Sequence, residues 1–207
     1  NSTIESGPFN NCLLDKNTGN QNCWGRYFSN IGGSWGNYVL NSHMASFSNN
    51  ASMQAPGFGK WCYMDDSFNV ICPYYTFSSS LGSNTNGEEN FNINLSQGHE
   101  ITSFSYNSGA VACVTTSNGG ELYCWGKNSN KLLDVNQDST WTTTPIKIDL
   151  GGYVSKVHVG SYAICAIVGD QRKVKCWGKS YTYNLGTGTS IADNTIVGHE
   201  SSLFVKK

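Results

Sequence analysis

The chain has 207 residues, a net charge of −1, 13% charged and 13% aromatic residues, and 23 glycines. So few charges exclude a nucleic-acid surface built on clustered Lys and Arg, and suit strands and turns better than helices, whose surfaces normally carry many Lys and Glu. No apolar run approaches the ~18 residues a membrane-crossing helix needs, and no amino-terminal signal segment is present.

In chain order, the first feature is an N-glycosylation triplet at Asn1-Ser-Thr3, with two more at Asn50-Ala-Ser52 and Asn94-Leu-Ser96. Asn1, Asn50 and Asn94 are therefore candidate acceptors, although triplets also arise by chance where Asn, Ser and Thr abound. Cys12 and Cys23 then bracket the turn Asp15-Lys-Asn-Thr-Gly19. Asp15, Asn17 and Gly19 echo part of a calcium loop but lack the remaining ligands and the closing Glu, and a turn needs these residue types anyway. The stretch from Arg26 to Met53 is long, glycine-rich and aromatic, and includes Trp35.

Cys62 and Cys72 bracket the next turn, Asp65-Asp-Ser-Phe68, and Pro73-Tyr74-Tyr75 follow. A proline there removes a backbone donor, so the strand is expected to end or to lie at an edge. Glu88 and Glu89 are adjacent in a polar loop and point apart, unlike the convergent carboxylates of a glycosidase. Ile101 to Tyr106 alternates as a strand. It leads into the clearest unit of the chain, Cys113 to Cys124, in which two β-branched or aromatic segments flank Asn118-Gly119, the signal of a tight hairpin. Trp125-Gly126 follow, and a last strand is expected near Thr144 to Leu150. The fourth unit repeats the order: an alternating strand Val154 to Val159, then Cys165, the turn Gly169 to Arg172, and Cys176-Trp177-Gly178. Lys173 and Lys175 around Val174 read as the solvated face of a strand. A Leu or Ile (Ile31, Leu81, Leu133, Leu185) stands about nine residues after each second cysteine, as an apolar anchor.

The first cysteines, at 12, 62, 113 and 165, are spaced by 50, 51 and 52 residues. A period near 51 falls in the range of propeller blades and similar β-arrays. The expected fold is therefore all-β, one repeat domain over 1–207 with repeats at 1–50, 51–100, 101–153 and 154–207, each a small antiparallel sheet of four short strands. Ten or nine residues separate the cysteines of a pair, whereas zinc sites favour two to four. Four hairpin disulfides are the better reading: Cys12 with Cys23, Cys62 with Cys72, Cys113 with Cys124 and Cys165 with Cys176. Directly opposed cysteines in an antiparallel pair fall within disulfide reach. Disulfides place the protein in an oxidising, extracellular compartment.

The order Gly-x-x-x-x-Cys, hairpin, Val-Lys-Cys176-Trp177-Gly178 and Asn184-Leu185-Gly186-Thr-Gly188 resembles the RCC1-type repeat, most closely in repeats three and four. That family includes secreted, disulfide-containing relatives such as β-lactamase inhibitor protein II. The resemblance implies a β-propeller of four-stranded blades that binds other proteins, and carries over neither nucleotide exchange nor nucleosome binding. RCC1-type propellers usually have seven blades, about 350 residues at this period. Four repeats leave open a small closed ring, an arc, a fragment, or a subunit of a larger assembly. No polar cap stands out at either end of the array, so head-to-tail self-association into a ring or filament is a further expectation.

No nucleophile elbow, phosphate loop or metal-binding helix is present, so no catalytic residue, metal ligand or cofactor is assigned. Trp24, Trp125 and Trp177 recur at one position and read as packing between blades. Trp35, Trp141, Tyr74 and Tyr75 fall off the pattern and are candidate binding aromatics. The expected function is that of a non-enzymatic, extracellular structural or protein-binding repeat protein, and the alternative is a lectin-like propeller with a glycan contact.

Overall fold

The computed structural model describes residues 2–6, 10–26, 38–45, 51–56, 61–67, 69–72, 89–92, 100–107, 111–128, 132–133, 141–170, 172–179, 185 and 197–199. The described residues form sixteen strands and no helix. The strands make four antiparallel four-stranded sheets, each lying within one period of the sequence. The chain divides into two compact units, one of residues 1–79, 83–94 and 106–108, the other of 80–82, 95–105 and 109–207.

The first unit holds two sheets. One runs β1 (Ser2–Ser6), β2 (Asn10–Asp15), β3 (Asn20–Arg26), β4 (Tyr38–Ala45); the other runs β5 (Ala51–Pro56), β6 (Trp61–Asp65), β7 (Asn69–Cys72), β8 (Glu89–Asn92). Leu14 on β2 is buried against Ala51 and Tyr63 of the next repeat. The turn after β2 is closed by its own side chain, since Asp15 Oδ1 accepts from the Asn17 N–H at 2.9 Å. That local bond accounts for the Asp-x-Asn spacing without a cation. Asp65 does the same for the Ser67 N–H in repeat two. β7 ends at Cys72, the residue before Pro73.

The second unit holds β9 (Ile101–Asn107) as far as Ser105, β10 (Val111–Thr116), β11 (Leu122–Lys127) and β12 (Trp141–Ile148), then β13 (Val154–Val159), β14 (Ala163–Val168), β15 (Lys173–Gly178) and β16 (Val197–His199). Its core is the contact between these two blades. Val111, Cys113, Leu122 and Cys124 of repeat three meet Val154, Val157, Val159, Ile164, Ala166 and Val168 of repeat four. The anchor Leu133 and its neighbour Leu132 join that cluster, while the anchor Leu185 is buried against Ala163 and Cys176. The Val159 N–H donates to Ser105 Oγ across the blade boundary at 2.9 Å.

The hairpin after β10 turns over Ser117 to Gly120. The Thr116 N–H donates to the Glu121 carbonyl, which encloses a four-residue loop whose last two residues, Gly119 and Gly120, both take positive φ. β12 begins at Trp141, earlier than Thr144, so Trp141 is a strand residue paired with Lys127. Lys175 is only part-exposed, and its ammonium donates to the Leu150 carbonyl at 2.6 Å rather than facing water.

The Trp-Gly that follows the second cysteine marks a β-bulge. The register slips between Cys124 and Gly126 against β12, and between Cys23 and Gly25 against β4. The glycine takes the backbone no other residue tolerates well, with φ of 112° at Gly126 and 128° at Gly178. In repeat two, where Pro73 replaces that motif, β7 pairs with β8 without a slip. The first strand of a repeat also carries a bulge, between Ala51 and Met53 and between Val154 and Lys156. The hydroxyl there returns to the neighbouring strand, Ser52 to the Met64 carbonyl and Ser155 to the Ile167 carbonyl. Thr102 bonds Thr115 in the same way.

Candidate binding surface

The cysteines sit where antiparallel pairing brings them opposite one another. Cys113 faces Cys124 and Cys165 faces Cys176 in register, and both pairs are disulfide-bonded with Cα atoms 4.1 Å apart. Cys12 stands opposite Cys23 on β2 and β3, and Cys12 and Cys62 are both disulfide-bonded. No free cysteine remains among the described residues. The two bridges of the second unit differ in setting. Cys113 and Cys124 are fully buried under repeat four, whereas Cys165 is part-exposed.

The hairpin bridges cross-link the central strands of the blades, and the outward side chains are presented from that frame. Trp141 is 38% exposed on β12, an edge strand of its sheet, and the Lys127 ammonium lies 5.8 Å from the centre of its ring. The pair is a cation–π contact, made possible because Lys127 and Trp141 are register partners. On the same two strands, Tyr123 donates its hydroxyl to Glu121 at 2.7 Å, and Lys147 pairs with the other oxygen of that carboxylate. Burial, then the hydrogen bond to Glu121, hold the Tyr123 phenol above its ordinary pKa. The Glu121 carboxylate likewise raises Lys147. Among the described residues these are the groups whose ionisation is perturbed, and they form a cross-strand network.

Two exposed aromatics escaped the sequence reading, Tyr153 just ahead of β13 and Tyr162 just ahead of β14. Tyr153 follows Gly152 and Tyr162 follows Gly160-Ser161, and that placement at strand starts was the available signal. Among the candidate aromatics, Trp35, Tyr74 and Tyr75 lie outside the described residues, as do the candidate glycan acceptors Asn1, Asn50 and Asn94. Among the described residues no group of three or more His, Cys, Asp or Glu could hold a metal ion.

No protein-family model matches the chain, and no curated protein does. Its fold does have solved counterparts. Prp20p from Saccharomyces cerevisiae, described with its binding to Gsp1p and histones, superposes with a TM-score of 0.67 at 16% identity over 96% of this chain and 49% of its own. The yeast RCC1 (Prp20) solved with Kap60 bound gives 0.69 at 15% identity, over 93% of this chain and 46% of its own. Human WBSCR16 gives 0.66 at 16% identity, over 100% and 54%. The chain thus spans about half the length of these structures. At such identities the likeness is one of fold, and the fold is that of the RCC1-type β-propeller, with small antiparallel sheets as blades and disulfide-stapled hairpins.

Proposed function

We propose that this protein is a non-enzymatic, extracellular repeat protein that serves a structural or protein-binding role on an RCC1-type scaffold. The observation that carries this reading is the set of large apolar side chains held exposed on a stapled frame: Trp141, Tyr153 and Tyr162. Aromatic side chains give large contact area at low entropic cost, which is why they dominate protein interfaces. The protein partners named for yeast Prp20 agree with a binding role for this fold. The bonded cysteines support an oxidising compartment, in keeping with the secreted relatives that the repeat motif resembles.

The reading is tested by cross-linking the protein in its native extracellular setting, as wild type and as a Trp141→Ala, Tyr153→Ala, Tyr162→Ala variant. Cross-links to a partner that disappear in the variant, at unchanged melting temperature, are the expected result. Alkylation of native material that labels free cysteines, or cross-links indifferent to the substitutions, would overturn it.

A second reading is carried by the Lys127–Trp141 pair, whose exposed indole is of the kind that stacks on a sugar ring. A glycan contact there should quench or shift Trp141 fluorescence on addition of oligosaccharide. A glycan array without hits, and fluorescence unaltered by sugars, would remove it.

A further inference from the structure

The tip of the hairpin between β10 and β11 is Asn118-Gly119, and both residues are exposed. The Asn118 carbonyl accepts from Thr116 Oγ1 at 3.3 Å, but no described residue bonds the Asn118 side-chain amide or the Gly119 N–H. An electrophilic amide carbon therefore stands one residue ahead of a backbone nitrogen that nothing holds, and both are in water. Gly119 has no Cβ to obstruct their approach.

Other asparagines lack these conditions. Asn17 is followed by Thr18, whose N–H is held by the Asp15 carbonyl at 3.3 Å and whose branched Cβ crowds the nitrogen. Asn128 is buried, and its Oδ1 accepts the Leu133 N–H. Among the described residues Asn118 is the one asparagine followed by glycine; the other such pair, Asn86-Gly87, lies outside them.

The same tip docks repeat three on repeat four. The Ser117 N–H donates to the Glu100 carbonyl at 2.7 Å, and the Gly120 carbonyl accepts the Val154 N–H at 2.8 Å. A Cβ on Gly120 would lie 2.4 Å from the Tyr153 ring and 2.7 Å from the Val154 nitrogen, so the contact has no slack. Asn118 and Gly119 thus lie between two anchors that fix the length of main chain joining them.

We propose that Asn118 is a site of spontaneous amide modification, and that its conversion to isoaspartate loosens the contact between repeats three and four. The Gly119 nitrogen gives its proton to hydroxide and bonds to Asn118 Cγ. The bond from Cγ to the side-chain nitrogen breaks, and that nitrogen takes a proton from water and leaves as ammonia. The cyclic imide that remains is opened by water at one of its two carbonyls. Opening at Cγ gives aspartate with the main chain restored. Opening at the Asn118 carbonyl carbon gives isoaspartate, whose main chain runs through Cβ and Cγ and is one atom longer. That carbonyl, the acceptor for Thr116, becomes a free carboxylate. The extra atom falls between the Ser117 and Gly120 anchors, so one of them must give way. The reaction needs only water and time, which makes the tip a clock on this contact. It is independent of the binding role proposed above.

The test is to age the 207-residue chain in warm, mildly alkaline buffer, as wild type and as Asn118→Gln, whose longer side chain closes the ring far less readily. Peptide mass spectrometry follows the amide-to-acid mass gain, and chromatography with protein isoaspartate methyltransferase separates the two acids. The Asn118 peptide of wild type is expected to convert with isoaspartate among its products. Asn128, which must wait for local opening, should lag at least about ten-fold. Aged wild type should melt at a lower temperature than fresh protein and exchange the Val154 amide hydrogen faster. Asn118→Gln, at an exposed position and still carrying Asn86, should show neither change. An Asn118 left intact in the folded chain, while a free peptide of residues 116–122 converts in the same buffer, would overturn the site. Converted protein that melts and exchanges like fresh protein would overturn the loosening.

Discussion

Trp177 donates its indole N–H to the backbone carbonyl of Leu132 across 3.0 Å, inside the contact between repeats three and four. The bond gives the Trp177 indole a role that a merely apolar residue could not fill. Asn128 completes the arrangement, because its buried Oδ1 accepts the Leu133 N–H at 2.7 Å and so fixes the segment that offers the carbonyl. Trp177→Phe leaves a buried carbonyl without its donor and also a void. The expected destabilisation is about 2–3 kcal/mol, read as a lower urea midpoint at constant slope. Trp141→Phe, on the exposed edge of β12, should stay within about 0.5 kcal/mol of wild type. Equal effects at the two positions would remove the interblade role of Trp177.

Gly178 and Gly169 both take positive φ, yet only one is enclosed. A Cβ on Gly178 would lie 2.3 Å from the Tyr162 carbonyl oxygen and 2.8 Å from the Ala163 Cα, whereas a Cβ on Gly169 meets nothing within 4 Å. Gly169→Ala then bears only the left-handed backbone penalty, about 1–2 kcal/mol. Gly178→Ala adds a clash with backbone that cannot move aside, and is expected to lower the melting temperature by more than twice as much or to prevent folding. Thermal melts of the two variants side by side decide the matter.

The period, the hairpins and the apolar anchors were legible because each rests on a residue type with a single job. Cysteines opposite one another, Gly19 and Gly120 at positive φ, and Leu133 and Leu185 in the core all follow from local chemistry. What stayed hidden depends on register. That Trp-Gly marks a bulge, that Trp141 pairs with Lys127, and that Tyr123, Glu121 and Lys147 form one network are facts about which residues face each other across strands.

The two described disulfides should respond to reductant in order of exposure. Thiol–disulfide exchange needs access to a sulfur, and Cys113–Cys124 is sealed beneath repeat four while Cys165 is part-exposed. Under native conditions and at low protein concentration, Cys165–Cys176 is expected to be reduced roughly ten-fold or more ahead of Cys113–Cys124, followed by alkylation and peptide mass spectrometry. Each bridge closes a hairpin with a sequence separation of 11. Its loss should cost at most about 3 kcal/mol by the chain-entropy estimate. A melting temperature unchanged by full reduction would show that the bridges do not staple the fold.

The Tyr123–Glu121–Lys147 network gives stability a defined alkaline limit. The folded state holds the phenol above its ordinary pKa of 10.0, through burial first and the Glu121 hydrogen bond second, and holds the Lys147 ammonium above 10.5. Both groups keep their protons longer in the folded chain than in the unfolded one. Between the unfolded and folded values the native state therefore binds more protons, and stability must fall as pH rises. Their contribution is complete below pH about 10 and is lost progressively above it. Urea midpoints at pH 9, 10 and 11 should decline more steeply for wild type than for Glu121→Gln, which removes the charge acting on both partners. Tyr123→Phe should flatten only the part of the decline that begins at the phenol's own range, because Lys147 keeps its partner. A decline as steep in Glu121→Gln as in wild type would show that the network does not set the alkaline limit.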